Sequence, residues 1–309
     1  MGKFLLQRFI RAVITIWFVV TLVFFVLRSV GDPITAITIS DGLDEAAMRN
    51  LRTQLGLDKP ILEQYFETMT SLFDKTDIYY RSYRHMRPVQ DLFAERAGAT
   101  VKLGLLSLFI AVAFSIPLGV TAAIKRNTVF DRISMVLSIL GSVIPNFVLG
   151  LLLIFLFAML LRLLPSGGAT SWRHFILPAI AMAVGPMATI ARLTRSSMLD
   201  VLRQDYLDFA RAKGLPERQV VIRHGLRNAL IPVVTIVGLQ FGYIVGGSII
   251  VETVFSWPGI GFLIVEAARR QDFPIIQFGV MLIATAIALA NMIVDILYAV
   301  LDPKIREKM

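Results

Sequence analysis

Six apolar runs, each about as long as a bilayer core is thick, limit what this chain can fold into more than any other feature. They cover about 9–30, 100–124, 133–161, 175–193, 229–251 and 278–301. A helix needs roughly 20 predominantly apolar residues to cross hydrocarbon. The chain has 309 residues, 56% of them hydrophobic and only 17% charged, with a mean hydropathy of +0.71. A soluble domain is nearer a quarter charged. A large soluble helical protein would need thick polar surfaces between these runs, and they are missing. The expectation is an all-α, polytopic membrane protein with six transmembrane helices.

The net charge of +9 would suggest nucleic acid in a soluble protein. Here the positive-inside rule accounts for it, and no nucleic-acid partner is expected. Placing the N-terminus in the cytoplasm puts 3–11, 125–132, 192–227 and the tail 302–309 on one side. Those stretches hold over half of the 31 Lys and Arg residues. Both termini are then cytoplasmic. The first run follows Lys3, Arg8 and Arg11, as a signal peptide would, but no small-x-small cleavage site follows it. It reads as an uncleaved span. There is no cysteine, hence no disulfide and no thiol chemistry.

Between the first two runs lies a polar segment at about 31–98. Ala47, Met48, Leu51 and Leu55 form a helical stripe ending at Gly56. Pro60 opens a second, carried by Leu62, Tyr65, Phe66 and Met69. With the aromatic, basic stretch Tyr79, Tyr80, Arg81, Tyr83, Arg84 and Arg87, this is too little for an independent core. It is expected to pack on the spans or on a partner. The domain reading is therefore three-part: 1–30, the cytoplasmic N-terminus and first transmembrane helix; 31–98, extracytoplasmic; and 99–309, a five-helix transmembrane core carrying a cytoplasmic loop at about 195–228. Pro117, Pro145, Pro178 and Pro186 fall inside the runs, where neighbouring helices can satisfy the freed carbonyls. Pro258, Gly259 and Gly261 before 262–268 suggest a short helix at the membrane surface.

The loop is the most polar part of that core. Leu199, Leu202, Tyr206 and Phe209 recur every three or four positions while Asp200, Arg203, Asp208 and Arg211 take other faces, the pattern of an amphipathic helix. Gly214 and then Pro216 stop it. Asp208-Phe209-Ala210, Gly214, and His224, Leu226 and Arg227 fall on the successive positions of the cytoplasmic signature loop of ATP-binding-cassette importer permeases. Thr194-Arg195-Ser196-Ser197-Met198-Leu199, Ala210-Arg211-Ala212-Lys213-Gly214 and Leu226-Arg227-Asn228-Ala229-Leu230-Ile231-Pro232 resemble the dipeptide/oligopeptide/nickel branch, first of its two permeases. So do Gly31-Asp32-Pro33, Leu55-Gly56-Leu57-Asp58-Lys59-Pro60 and the run from Glu252 to Gly261. The branch's Gly-Asp-Leu-Gly-x-Ser is replaced here by Thr76-Asp77-Ile78-Tyr79-Tyr80-Arg81-Ser82. The resemblance spans nearly the whole chain.

The resemblance implies a type I ABC importer permease fold in a bacterial inner membrane. The implied function is half of a binding-protein-dependent path for dipeptides or oligopeptides. A nickel chelate, glutathione or another small conjugate is the alternative cargo. Implied partners are a second homologous permease, two cassette ATPases and an extracytoplasmic substrate-binding protein. Asp205, Tyr206, Asp208, Phe209, Ala210, Lys213, Gly214 and Glu217 would engage the ATPase. No cofactor is expected in this chain, ATP and Mg being held by the ATPases, and no enzymatic step.

Motif absences agree with that. No Gly-x-x-x-x-Gly-Lys-Ser/Thr loop occurs, and His85, His174 and His224 are scattered, so no zinc-protease ligand set exists. A stand-alone secondary transporter is the competing class. Sparse buried charge and the absence of a broken-helix ion site argue against it, and the loop would have no role in it. Polar groups within the spans are Asn146, Gln240, Asn291 and Asp295. A structural bond between Asn291 and Asp295 is preferred to a proton relay. Asn146, Gln240, Tyr243 and Ser248 are candidates to line a path for peptides, whereas bare nickel would call for imidazole or carboxylate ligands. Gly238, Gly242 and Gly246 lie four apart on one face, a spacing for close helix approach, either within one subunit or at a seam between two.

Overall fold

The computed structural model describes residues 2–30, 45–70 and 81–301. The described residues are nearly all helical, in chain order α1 (Gly2–Val30), α2 (Glu45–Gln54), α3 (Ile61–Thr70), α4 (Val89–Ile124), α5 (Val129–Val143), α6 (Asn146–Leu153), α7 (Arg173–Val201), α8 (Asp205–Ala212), α9 (Arg227–Val254), α10 (Ile260–Arg269) and α11 (Phe273–Leu301). A π-helical turn, Ile154–Leu160, extends α6, and another, Val220–Leu226, leads into α9. Among the described residues five helices are long and apolar enough to span a membrane, or six if the bent pair α5 and α6 counts as one span.

That pair departs from the expectation of a single helix over 133–161. The chain direction bends by 103° from one arm to the next. Proline supplies no N–H and pushes the preceding residue out of helical conformation. Ile144 accordingly has φ −71° and ψ 120°, ending α5, and Pro145 has φ −61° and ψ 140°, opening α6. Pro145 is thus the break itself. Pro117, Pro178 and Pro186 do lie inside helices, α4 and α7, which continue through them.

The helices fall into two compact units, each discontinuous in sequence: Gly2–Val101 with Ser256–Leu289, and Lys102–Phe255 with Ala290–Met309. In the first, the two short helices after α1 form where the apolar stripes predict them. Gly56, at φ +64°, stops α2. Among the described residues they form no core of their own. Leu55 and Tyr83 pack with Phe273, Leu27 and Ile276. Tyr65 meets Phe24 edge-on, stacks on Phe25, and is hydrogen-bonded to Thr21 at 2.8 Å. Leu62 and Phe66 of the same stripe remain exposed. Trp257, almost fully buried, donates Nε1–H to the Ala99 carbonyl at 3.2 Å, and Thr100 Oγ1 accepts from the Ile260 N–H at 2.8 Å, fixing the start of α10.

Asp272 ties this unit together. Its carboxylate, 2% exposed, accepts from Ser82 Oγ at 2.5 Å, Tyr83 N–H at 3.1 Å and Arg84 N–H at 3.4 Å. Ser82 Oγ in turn accepts from the His85 N–H at 2.9 Å. Asp272→Ala strands these donors, each at roughly 1–3 kcal/mol. The 81–87 turn, with trypsin sites at Arg81 and Arg84, is expected to become cleavable in solubilised protein while the wild type resists. Equal cleavage rates would show that the carboxylate does not hold the turn.

The second unit is organised around α7, whose buried face is rich in small residues: Ala179, Ala181, Ala183, Ala188 and Ala191. Between lipid-embedded helices close packing replaces the hydrophobic effect as the driving force. At Gly119 of α4 an added Cβ would lie 2.6 Å from the Ala191 carbonyl oxygen and 2.6 Å from Thr194 Cβ. The loop before α7 crosses the end of α9, with the Gly168 N–H donating to the Phe255 carbonyl at 2.9 Å.

Candidate coupling site and transport elements

The loop between α7 and α9 is built on a small core of its own. From Val201 the backbone turns through Leu202, Arg203 and Gln204 into the eight-residue α8. Leu207, fully buried, and Ala210 pack on Val220, with Val201, Leu202 and Leu215 closing the cluster. Gly214 ends the element at φ +78°, and a Cβ there would meet nothing within 4 Å. Its requirement is therefore the left-handed backbone, which glycine adopts without strain.

The expected single stripe from Leu199 to Phe209 is corrected by this geometry. Leu199 belongs to α7, and the turn at 202–204 changes which face points inward. Tyr206, 42% exposed, and Phe209, 63% exposed, point away from the core that Leu207 and Ala210 form. Lys213 Nζ sits 4.5 Å above the Phe209 ring. Asn228 Nδ2–H donates to Tyr206 Oη at 2.8 Å, tying α8 to the start of α9. Arg211 donates from Nε and Nη2 to the Glu217 carboxylate, both at 3.1 Å, and from Nη1 to Asp208 at 2.7 Å. The Glu217 hydrogen bond first, then that of Asp208, raises the Arg211 pKa further above its ordinary value. Such exposed pairs contribute about 0–1 kcal/mol, so Leu207 holds the loop while the Arg211 clasp orients it. Asp205, Tyr206, Phe209 and Lys213 are left outward, an aromatic patch with mixed charge. Ala210 faces inward and His224 is half-buried in the π-helical turn.

Within the spans, Asn146 is half-buried at the first turn of α6, directly after the Pro145 break, and Gln240 is half-buried on α9. Ser248 is buried. The side chains of Tyr243 and Asp295 and the surroundings of Gly246 lie outside the described residues, and with Asp295 the expected bond to Asn291. The glycine stripe divides. A Cβ on Gly238 would come within 2.7 Å of Val294 Cγ2, so Gly238 admits α11 inside the same unit, whereas Gly242 faces open space. Beside Gly238 a cavity of about 290 Å³ is lined by Leu108, Val237, Ala290, Ile293 and Val294. It carries no polar side chain that would recognise a peptide.

Comparison with known proteins adds the family. Residues 115–307 match the model of the binding-protein-dependent transport system inner membrane component, and residues 1–104 match that of the N-terminal part of such membrane components. The chain belongs to this family. It is 42% identical to the glutathione transport system permease protein GsiC of Escherichia coli K12 over 309 residues, covering 100% of both chains. The GsiC protein of Salmonella typhi gives the same identity and coverage. Among solved structures, an inward-facing form of the MetNI methionine ABC transporter matches with a TM-score of 0.53. That match has 19% identity and covers 67% of this chain and 97% of that one, and it supports the fold. The protein is thus a multi-pass inner-membrane permease subunit of an ABC importer, acting with an ATPase and a substrate-binding partner.

Two features of this permease escaped sequence reasoning. Glu252 is fully buried; its place at the edge of an apolar run was the available signal. Arg195 and Asp131 form a close ion pair, 64 residues apart. No local periodicity relates residues at that separation.

Proposed function

We propose that this permease forms half of a translocation path for short peptides, with glutathione, itself a small peptide, among the candidate cargoes. The observation that carries this reading is the 42% identity to a glutathione transport permease along the full length of both chains. Neutral polar groups suit such cargo. Asn146, Gln240 and Tyr243 offer hydrogen bonds without fixed charge, so a peptide can be passed on without being trapped, whereas Ser248 is buried. Selection then falls to the extracytoplasmic binding protein, and the 81–87 turn with its arginines is a surface for it. A second homologous permease completes the path, since six spans make too narrow a wall alone.

Two cassette ATPases seat the 205–217 loop through Asp205, Tyr206, Phe209 and Lys213. Asp208 and Glu217 orient Arg211, Gly214 supplies the turn, and Ala210 packs the element. ATP and Mg belong to those ATPases, and this chain carries no cofactor and no chemical step. The basic stretches 3–11, 125–132, 192–227 and 302–309 support a cytoplasmic position for both termini by the positive-inside rule. The test is thermal stabilisation of the partner binding protein by a panel of dipeptides, oligopeptides, glutathione and a nickel chelate. Stabilisation by peptides or glutathione is expected. Stabilisation by the chelate alone would overturn the cargo and leave the importer standing.

A further inference from the structure

We propose that Asp131 and Arg195 form the positioning link that makes α5, the first arm of the bent span, move in register with the ATPase-docking loop. The inference rests on the reading of α8 as that loop. Asp131, only 3% exposed, sits in the first turn of α5. Its Oδ1 accepts from Arg195 Nε at 2.5 Å and its Oδ2 from Arg195 Nη2 at 2.7 Å, a two-pronged fork. The Asn127 N–H also donates to Oδ2, at 2.9 Å, and the Thr128 hydroxyl caps the helix by accepting from the Asp131 N–H. The carboxylate is therefore held by its own turn before it meets α7.

Arg195 lies in the last two turns of α7. From there Val201 and Leu202 run directly into the cluster formed by Leu207, Ala210 and Val220, so the end of α7 and the docking loop share one packed core. Ser197 Oγ donates to the Ala229 carbonyl at 2.8 Å, joining the same end to α9, and Gly119 brings in α4. Further along, α5 meets α7 at Gly141, where a Cβ would lie 3.0 Å from Val184 Cγ1. Apolar contact of that kind resists separation but is non-directional. A charge-assisted fork between planar groups is directional, so the ion pair is what fixes how far α5 stands along α7. Because α5 ends at the Ile144–Pro145 break, it can be carried as an arm of its own.

The test uses the full complex in proteoliposomes, with purified binding protein and glutathione as probe. Molecules of ATP hydrolysed per glutathione imported are measured for wild type, Asp131→Asn, Arg195→Lys and the double variant Asp131→Asn/Arg195→Gln. The single Asp131→Asn change is expected to raise that ratio at least about fivefold, a modest inter-site coupling, with assembly and basal ATP hydrolysis retained. Arg195→Lys, which keeps the charge and loses the fork, should fall between, and the double variant should be no worse than Asp131→Asn. A wild-type ratio in the assembled variants overturns the proposal. So does failure of both single variants to assemble, which would make the pair a folding element. Cross-linking to the ATPase from a photoreactive side chain at the exposed position 205 is scored in parallel, and its absence with the Asp131–Arg195 pair intact would sink the docking reading instead.

Discussion

Replacing Phe209 with aspartate is expected to abolish ATP-driven uptake while leaving the chain inserted and folded. The ring is 63% exposed and lies on the side of α8 away from Leu207 and Ala210, so the loop's own core loses nothing. Surface changes of this kind usually move stability by no more than about 0.5 kcal/mol. Partner binding is different. Buried aromatic anchors contribute about 2 kcal/mol or more to an interface, which corresponds to a loss of roughly 30-fold in affinity, and an unpaired carboxylate in the partner's groove adds a desolvation penalty. Uptake should therefore fall at least about 30-fold, with the melting temperature of the isolated permease unchanged. Uptake within twofold of wild type would show that α8 does not dock through this face. Ala210→Trp cannot serve the same purpose. Ala210 is 8% exposed against Val220 and Leu207, so a large ring there would disrupt the loop whether or not it docks.

Gly119→Val is expected to have the largest effect on folding. The new Cβ would be 2.6 Å from a backbone oxygen, that of Ala191, and from Thr194 Cβ. Backbone cannot yield as a flexible side chain does. Overpacking of a tight core costs about 1–3 kcal/mol even for small additions, and valine adds three carbons here. The variant should accumulate poorly in the membrane and melt well below wild type. Gly242→Val is the matched control. It places the same side chain on a transmembrane helix where nothing lies within 4 Å, so the isolated chain should retain its stability. If the two variants behave alike, the close approach of α4 and α7 is not what makes Gly119 necessary.

Several elements were legible in the sequence for a local reason. A helix in lipid satisfies its own backbone, so the length of an apolar run reports a span almost directly, and the runs at 9–30, 100–124, 175–193, 229–251 and 278–301 all lie within helices. Gly56 and Gly214 stop their helices at φ +64° and +78°, as glycines at such positions do. The short helix 262–268 is present within Ile260–Arg269. The signature-loop residues likewise pointed to the permease family, which the match over 115–307 bears out.

Where the sequence misled, the deciding contact was remote or the chain changed direction. Pro145 looked like the other prolines within spans. Of Pro117, Pro145, Pro178 and Pro186, it alone marks a bend of 103°. The stripe Leu199, Leu202, Tyr206 and Phe209 assumed one continuous helix, and the turn at 202–204 exchanged its faces. The sequence by itself determined the number and extent of the apolar runs, the stops at glycine and the family, because each depends on a few neighbouring residues. Only the tertiary structure decided that Tyr206 and Phe209 face outward, that Gly238 meets Val294, that Asp272 cages the 81–87 turn and that Asp131 grips Arg195. Each of those joins residues distant in sequence, and packing of one element on another, which no period of 3.6 encodes, selects among the faces a helix can bury.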